Sequence, residues 1–122
     1  MQNNQLYVSD FENYIDLSEE ILFIKLGETI DELNSLNIQP LSTEEKEKIG
    51  RAYLKSKIHY ITEILCKKEI RNLRKDNSKV ELALVIADVL SAVLTGIPLI
   101  IITCLIVEIG IDEFCKKNDK IH

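Results

Sequence analysis

The sequence predicts an all-α protein, a compact bundle of four to five helices around a central apolar helical hairpin. Three observations carry this. The 122 residues include only four Gly and two Pro, too few for the many tight turns of a sandwich or barrel. Apolar side chains recur at helical spacing along residues 43–65. Residues 80–107 are apolar almost throughout, and Gly96-Ile97-Pro98 interrupts them. The chain is 46% hydrophobic and 29% charged, which excludes a disordered tail. Its length fits a single domain, 1–122. Within it lie an acidic helical part (1–47), a basic helix (43–75), an apolar hairpin (about 79–95 and 97–115, with its flank to 117) and a frayed tail (118–122).

The elements follow in order. Ser9-Asp10-Phe11-Glu12 has the form of a capping box, so a helix is expected from about residue 10. Ser18 with Glu19 and Glu20 is a second start, because carboxylates suit the positive end of a helix. Ile21, Leu22, Leu26, Ile30, Leu33 and Leu36 then recur at mostly helical intervals. Residues 34–40 form a connector, and Pro40 cannot continue a helix. Ser42-Thr43-Glu44-Glu45 is the clearest local signal, a capping box that opens a long helix at Thr43. Leu54, Ile58, Ile61 and Leu65 form one stripe of it. Ile49, Tyr53, Tyr60 and Ile64 form a neighbouring stripe, and Lys48, Arg51, Lys55 and His59 the polar face. Past Cys66 the phase fails, which predicts a break near Lys67-Lys68 and then a short basic helical piece. Asp76-Asn77-Ser78 is a turn and a cap for the next helix.

From Val80 to Thr95 the polar residues are Glu81, Asp88, Ser91 and Thr95, within an arc of roughly 80° on a helical wheel. This reads as a helix buried on almost every side with one narrow polar seam. Asp88 is therefore the candidate buried polar group, since a buried carboxylate must be paired or protonated. Gly96-Ile97-Pro98 marks a stop and a restart, with Pro98 in the first turn of the next helix. Glu108, Asp112 and Lys116 mark the solvated face of the last helix, which should fray from Lys117.

Residues 89–107 are 19 consecutive uncharged residues. As one helix they would reach about 28 Å, close to the hydrocarbon thickness of a bilayer. A single membrane span with its N-terminal side cytoplasmic is thus the alternative to a hairpin core. The Gly-Ile-Pro break and the ordered seam favour the hairpin, as does the missing aromatic belt.

Cys66, Cys104 and Cys115 are odd in number and form no C-x-x-C. They read as free thiols in a reducing cytosol. The residues 1–5 show no signal peptide and no myristoylation site. The expected location is cytoplasmic.

Charge divides the chain into thirds. Residues 1–47 carry eleven acids against two Lys, residues 48–79 ten bases against three acids, and residues 80–122 three Lys against six acids. The acidic and basic parts are expected to pack together and neutralise each other. The total of −5 argues against a protein that coats nucleic acid. The basic strip also lacks the interleaved aromatics of a single-strand binder.

No catalytic set, metal-ligand spacing or phosphate loop is present, so no catalytic residue, cofactor, metal or small-molecule substrate is expected. His59 and Glu63 share a helix face, but two ligands do not make a metal site. The sequence is read as a small non-catalytic protein that acts by binding another protein or a second copy of itself. An accessory or regulatory subunit and an immunity-type inhibitor are examples of the class. The Ile, Lys and Asn bias suggests a bacterial or phage source. The candidate interaction residues are the acidic set Asp10, Glu12, Asp16, Glu19 and Glu20, and the basic strip Lys67, Lys68, Arg71, Arg74 and Lys75. The alternative is a membrane-active protein, an anchor subunit or small pore-forming effector, spanning at 89–107.

Overall fold

The computed structural model describes residues 8–34, 39–67 and 78–119. They form six helices and no strand, so the chain is all-α. The helices are α1 (Val8–Phe11), α2 (Glu19–Asn34), α3 (Thr43–Leu65), α4 (Lys79–Leu90), α5 (Gly96–Ile109) and α6 (Ile111–Asp119).

The N-terminal signal behaves differently from expectation. Ser9 and Glu12 do not open a helix; α1 is a single turn that ends at Phe11. The amides of Tyr14 and Ile15 both donate to the Phe11 carbonyl at 2.9 Å. The chain turns here because Phe11 and Ile15 are both buried in the core. The second start holds. Ser18 accepts from the Ile21 amide at 3.3 Å, and α2 begins at Glu19.

Helix α3 opens with the expected capping box. Ser42 Oγ accepts from the Glu45 amide at 3.1 Å, and the Ser42 amide donates to Glu45 Oε1 at 2.8 Å. Its stripe of Leu54, Ile58, Ile61 and Leu65 is buried. In the neighbouring stripe Tyr60 is instead 54% exposed. The break expected near Lys67-Lys68 falls just before them: α3 stops at Leu65, and the Cys66 amide closes it on the Thr62 carbonyl at 3.1 Å. The expected basic piece after Lys67 lies outside the described residues.

Helices α2 and α3 cross with their backbones in contact. A Cβ on Gly27 would collide with the Lys46 carbonyl, and one on Gly50 with the Phe23 carbonyl. Only a residue without a Cβ permits this approach at either point. The acidic α2 does lie against α3, and Glu28 pairs with Lys46 at 3.0 Å between them. The crossing and its buried apolar residues hold the pair together.

The apolar hairpin is present as α4 and α5, with shorter arms than expected. Ser78 caps α4 in a second capping box with Glu81. The helix ends at Leu90, where Val93 and Leu94 amides both turn back to the Leu90 carbonyl at 2.9 Å. Gly96 takes φ +66° and starts α5, with Pro98 in its first turn. Lys79 Nζ lies 3.8 Å from Glu108 Oε1, so the start of α4 meets the end of α5 in an antiparallel pair. The second arm is not continuous to 115. Gly110, at φ +96°, separates α5 from α6. Helix α6 runs to Asp119, beyond the point where fraying was expected, and Asn118 Nδ2 donates to the Phe114 carbonyl at 2.8 Å.

Helix α5 is the centre of the core. Ile101 through Ile106 are all buried, and α1, α2, α4 and α6 pack around them. The window 89–107 is thus divided between two helices. No helix among the described residues is long and apolar enough to cross a membrane.

Two of the three cysteines are not free. Cys66, just past α3, is bonded to Cys115 on α6, with Cα atoms 5.6 Å apart and 49 residues between them in sequence. The expectation of three free thiols fails because the pairing depends on how α6 folds back onto α3. Cys104 remains a thiol, buried in α5.

Candidate functional site

The sequence singled out two sets of charges, and the structure treats them differently. Asp10 lies in α1 and is partly buried. Glu12 and Asp16 are exposed on the turn after it, and Glu20 is exposed on the first turn of α2. Glu19 is partly buried and faces a cleft. Lys67 is exposed at the bend beyond α3. Lys68, Arg71, Arg74 and Lys75 lie outside the described residues.

Asp88 is not a buried carboxylate. It is exposed, as are Glu81 and Thr95 of the same seam. The seam faces water, because α4 is covered by α1, α3 and α5 and leaves one side uncovered. Ser91 Oγ donates to the Asp88 carbonyl at 2.7 Å, which closes the end of the helix.

The cleft that Glu19 faces is the feature that the charge pattern did not reveal. It lies where α2, α3 and the α5–α6 junction meet, and its volume is about 330 Å³. That is at the small end of ligand-sized pockets. Phe23, Leu54, Ile58, Ile109 and Phe114 line it with apolar surface. Glu19, Arg51, Lys55, Lys117 and Asn118 supply the polar groups. Each helix places its share by ordinary amphipathic spacing. Leu54 and Ile58 come from the buried stripe of α3, while Arg51 and Lys55 come from the polar face beside it.

Three cations face one carboxylate around this opening. Arg51 is held twice. Its guanidinium lies over the Phe23 ring, 4.2 Å from the centroid, and it pairs with Glu47 at 2.8 Å. The stacking fixes the guanidinium at the mouth. Lys55 and Lys117 make no ion pair or hydrogen bond with a described residue. Phe114 and Lys117 belong to α6, whose position is tied to α3 through Cys66–Cys115. One wall of the cleft is therefore covalently anchored to the other.

No family model, no curated protein and no solved structure matches this chain.

Among the described residues no three His, Cys, Asp or Glu side chains gather into a group that could hold a metal ion. His59 and Glu63 do share a face, 4.0 Å apart, and both are exposed. Among the described residues, the two groups with perturbed acidity lie outside the cleft. Burial raises the Tyr53 phenol and pushes the Cys104 thiol up to about 12, because the charged forms lose hydration. Neither Cys104 nor Tyr53 is thereby activated as a nucleophile, since both are held in their neutral forms.

Sequence reasoning placed Glu19 and missed Phe23, Arg51, Lys55, Phe114 and Lys117 as a group. By spacing alone Arg51 and Lys55 belong to the polar face of α3. The signal that joins them to Phe114 and Lys117 is the return of α6 onto α3, which no local pattern encodes.

Proposed function

We propose that this is a small non-catalytic protein that acts by binding another protein through the face formed by α2, α3 and α6. An accessory or regulatory subunit and an immunity-type inhibitor both fit this description. The observation that supports it is the cleft, whose apolar floor and ring of charged residues resemble the centre of a protein interface. Such centres combine a desolvated apolar pocket with a polar surround, and Arg is enriched in them. Lys55 and Lys117, which lack an ion-pair partner among the described residues, add a charge that a partner can complement.

The disulfide favours an oxidising compartment for this activity. The cytoplasmic expectation rested in part on unpaired thiols and loses that part of its support.

The test is affinity capture with the wild-type chain and the Lys55→Glu/Lys117→Glu variant side by side. Both lysines are exposed, so the variant should fold normally, which circular dichroism checks. A protein retained by the wild type and lost from the variant supports the reading. A partner held equally by both shows that the cleft is not the binding face.

A further inference from the structure

We propose that the cleft receives an acidic amphipathic helix of the partner, with apolar side chains seated on the floor and carboxylates set against Lys55 and Lys117. This deepens the preceding reading and rests on it.

Volume sets the first constraint. A space of about 330 Å³ holds one or two large side chains, not a folded element. The occupant therefore lies across the mouth and inserts anchors. Backbone chemistry sets the second. An extended peptide gains affinity by adding to a sheet edge, and there is no strand among the described residues to receive it. A helix satisfies its own backbone and presents anchors at i, i+3 and i+4 on one face. Charge sets the third. The lining carries three cations and one carboxylate; Glu47 already pairs with Arg51, so Lys55 and Lys117 are the charges left for a partner, although the whole chain has a net charge of −5. The local field selects an acidic flank and repels a basic one. Glu19 at the α2 edge opposes a carboxylate there, which orients the acidic flank toward Lys55 and Lys117.

The experiment uses the full chain with its disulfide intact and two synthetic peptides of about 16 residues, long enough to form a helix when held. One has Leu at i, i+3, i+4 and i+7 with Glu on both flanks; the other has Lys in place of each Glu. Binding is followed by amide shifts in two-dimensional NMR. The acidic peptide is expected to bind about tenfold more tightly at low salt, the sum of several partly exposed charge contacts. Its shifts should centre on Phe23, Leu54, Ile58 and Phe114. The preference should vanish in Lys55→Glu/Lys117→Glu and shrink as salt screens the charges.

Equal binding of the two peptides, tighter binding of the Lys peptide, or shifts centred away from these residues overturns the proposal. So does dodecanoate filling the cleft while neither peptide does, which would assign it to a small amphiphile. A concentration-dependent dimer that buries the same residues would assign it to a second copy. If the helix fails while capture still depends on Lys55 and Lys117, the occupant is wrong and the protein-binding reading stands. If capture is also indifferent to them, both fall.

Discussion

Breaking the Cys66–Cys115 bond should cost this protein a large part of its stability. The bond closes a loop with a sequence separation of 49 residues, and that loop contains all of α4 and α5. In the chain-entropy account, a cross-link over a loop of this size stabilises by about 4 kcal/mol at 25 °C, chiefly by restricting the unfolded chain. Average unfolding entropies give a domain of this length roughly 0.26 kcal/mol/K, so the loss corresponds to a fall in Tm of about 15 °C. The assay begins with thiol titration in denaturant. Protein purified without reductant should show one free thiol, Cys104, and reduced protein three. Thermal melts by circular dichroism then compare the oxidised chain, the reduced chain and Cys66→Ser/Cys115→Ala. Three thiols in the untreated protein would refute the pairing. A drop in Tm smaller than about 5 °C would refute the entropic reasoning, since the loop would then already be constrained when unfolded.

Three further outcomes follow from the core. Gly50→Ala should destabilise by about 1–3 kcal/mol, because its methyl overlaps the Phe23 carbonyl and the two helices must part; urea midpoints check this against the exposed Ala52→Ser, which should change little. Thr103 is fully buried, and its hydroxyl has no hydrogen-bond partner among the described residues. Thr103→Val should therefore stabilise by about 1 kcal/mol, the desolvation cost of the unpaired group, and a lower urea midpoint would show that the hydroxyl is satisfied. Cys104, with its thiol pushed up to about 12, should resist iodoacetamide in the folded protein at pH 8 and react once unfolded, as mass spectrometry will show. The sign for stability follows: the folded state prefers the neutral thiol, so its contribution is intact below about pH 9 and is lost as pH rises toward 12.

What was legible in the sequence was local. Ser42 and Ser78 announce helix starts because a cap and its third residue are neighbours in the chain. Leu54, Ile58, Ile61 and Leu65 announce a buried stripe because their spacing alone sets the face. Pro98 announces a restart because it tolerates only the first turn. What was hidden depended on elements far apart. Gly27 and Gly50 meet across a helix crossing. Cys66 and Cys115 meet only after α6 returns. Gly110 stands between Ile109 and Ile111, and the charged positions Glu108, Asp112 and Lys116 keep helical phase across it, so the break leaves no mark on the pattern. Asp88 shows the opposite failure: its polar arc was correct, but an arc does not say whether water or protein lies against it.

The most apolar part of the chain is therefore structural. The excess of apolar residues in 80–107 exceeds what one face of a small bundle needs, which left core, interface and membrane as destinations. Helix α5 resolves this by lying inside the bundle, where Ile101, Ile102, Leu105 and Ile106 are fully buried and neighbouring helices cover them on several sides. A helix surrounded in this way has no need of an amphipathic face, and only its ends reach the surface, at Ile97 and Ile109. The apolar surface still open at the cleft comes instead from Phe23 on α2, Leu54 and Ile58 on α3, and Phe114 on α6, joined by Ile109 at the end of α5. These belong mostly to amphipathic helices, where each apolar residue has a charged neighbour one turn away. On the proposed binding face, recognition would read charge and shape together, whereas the apolar hairpin supplies the centre against which those helices are set.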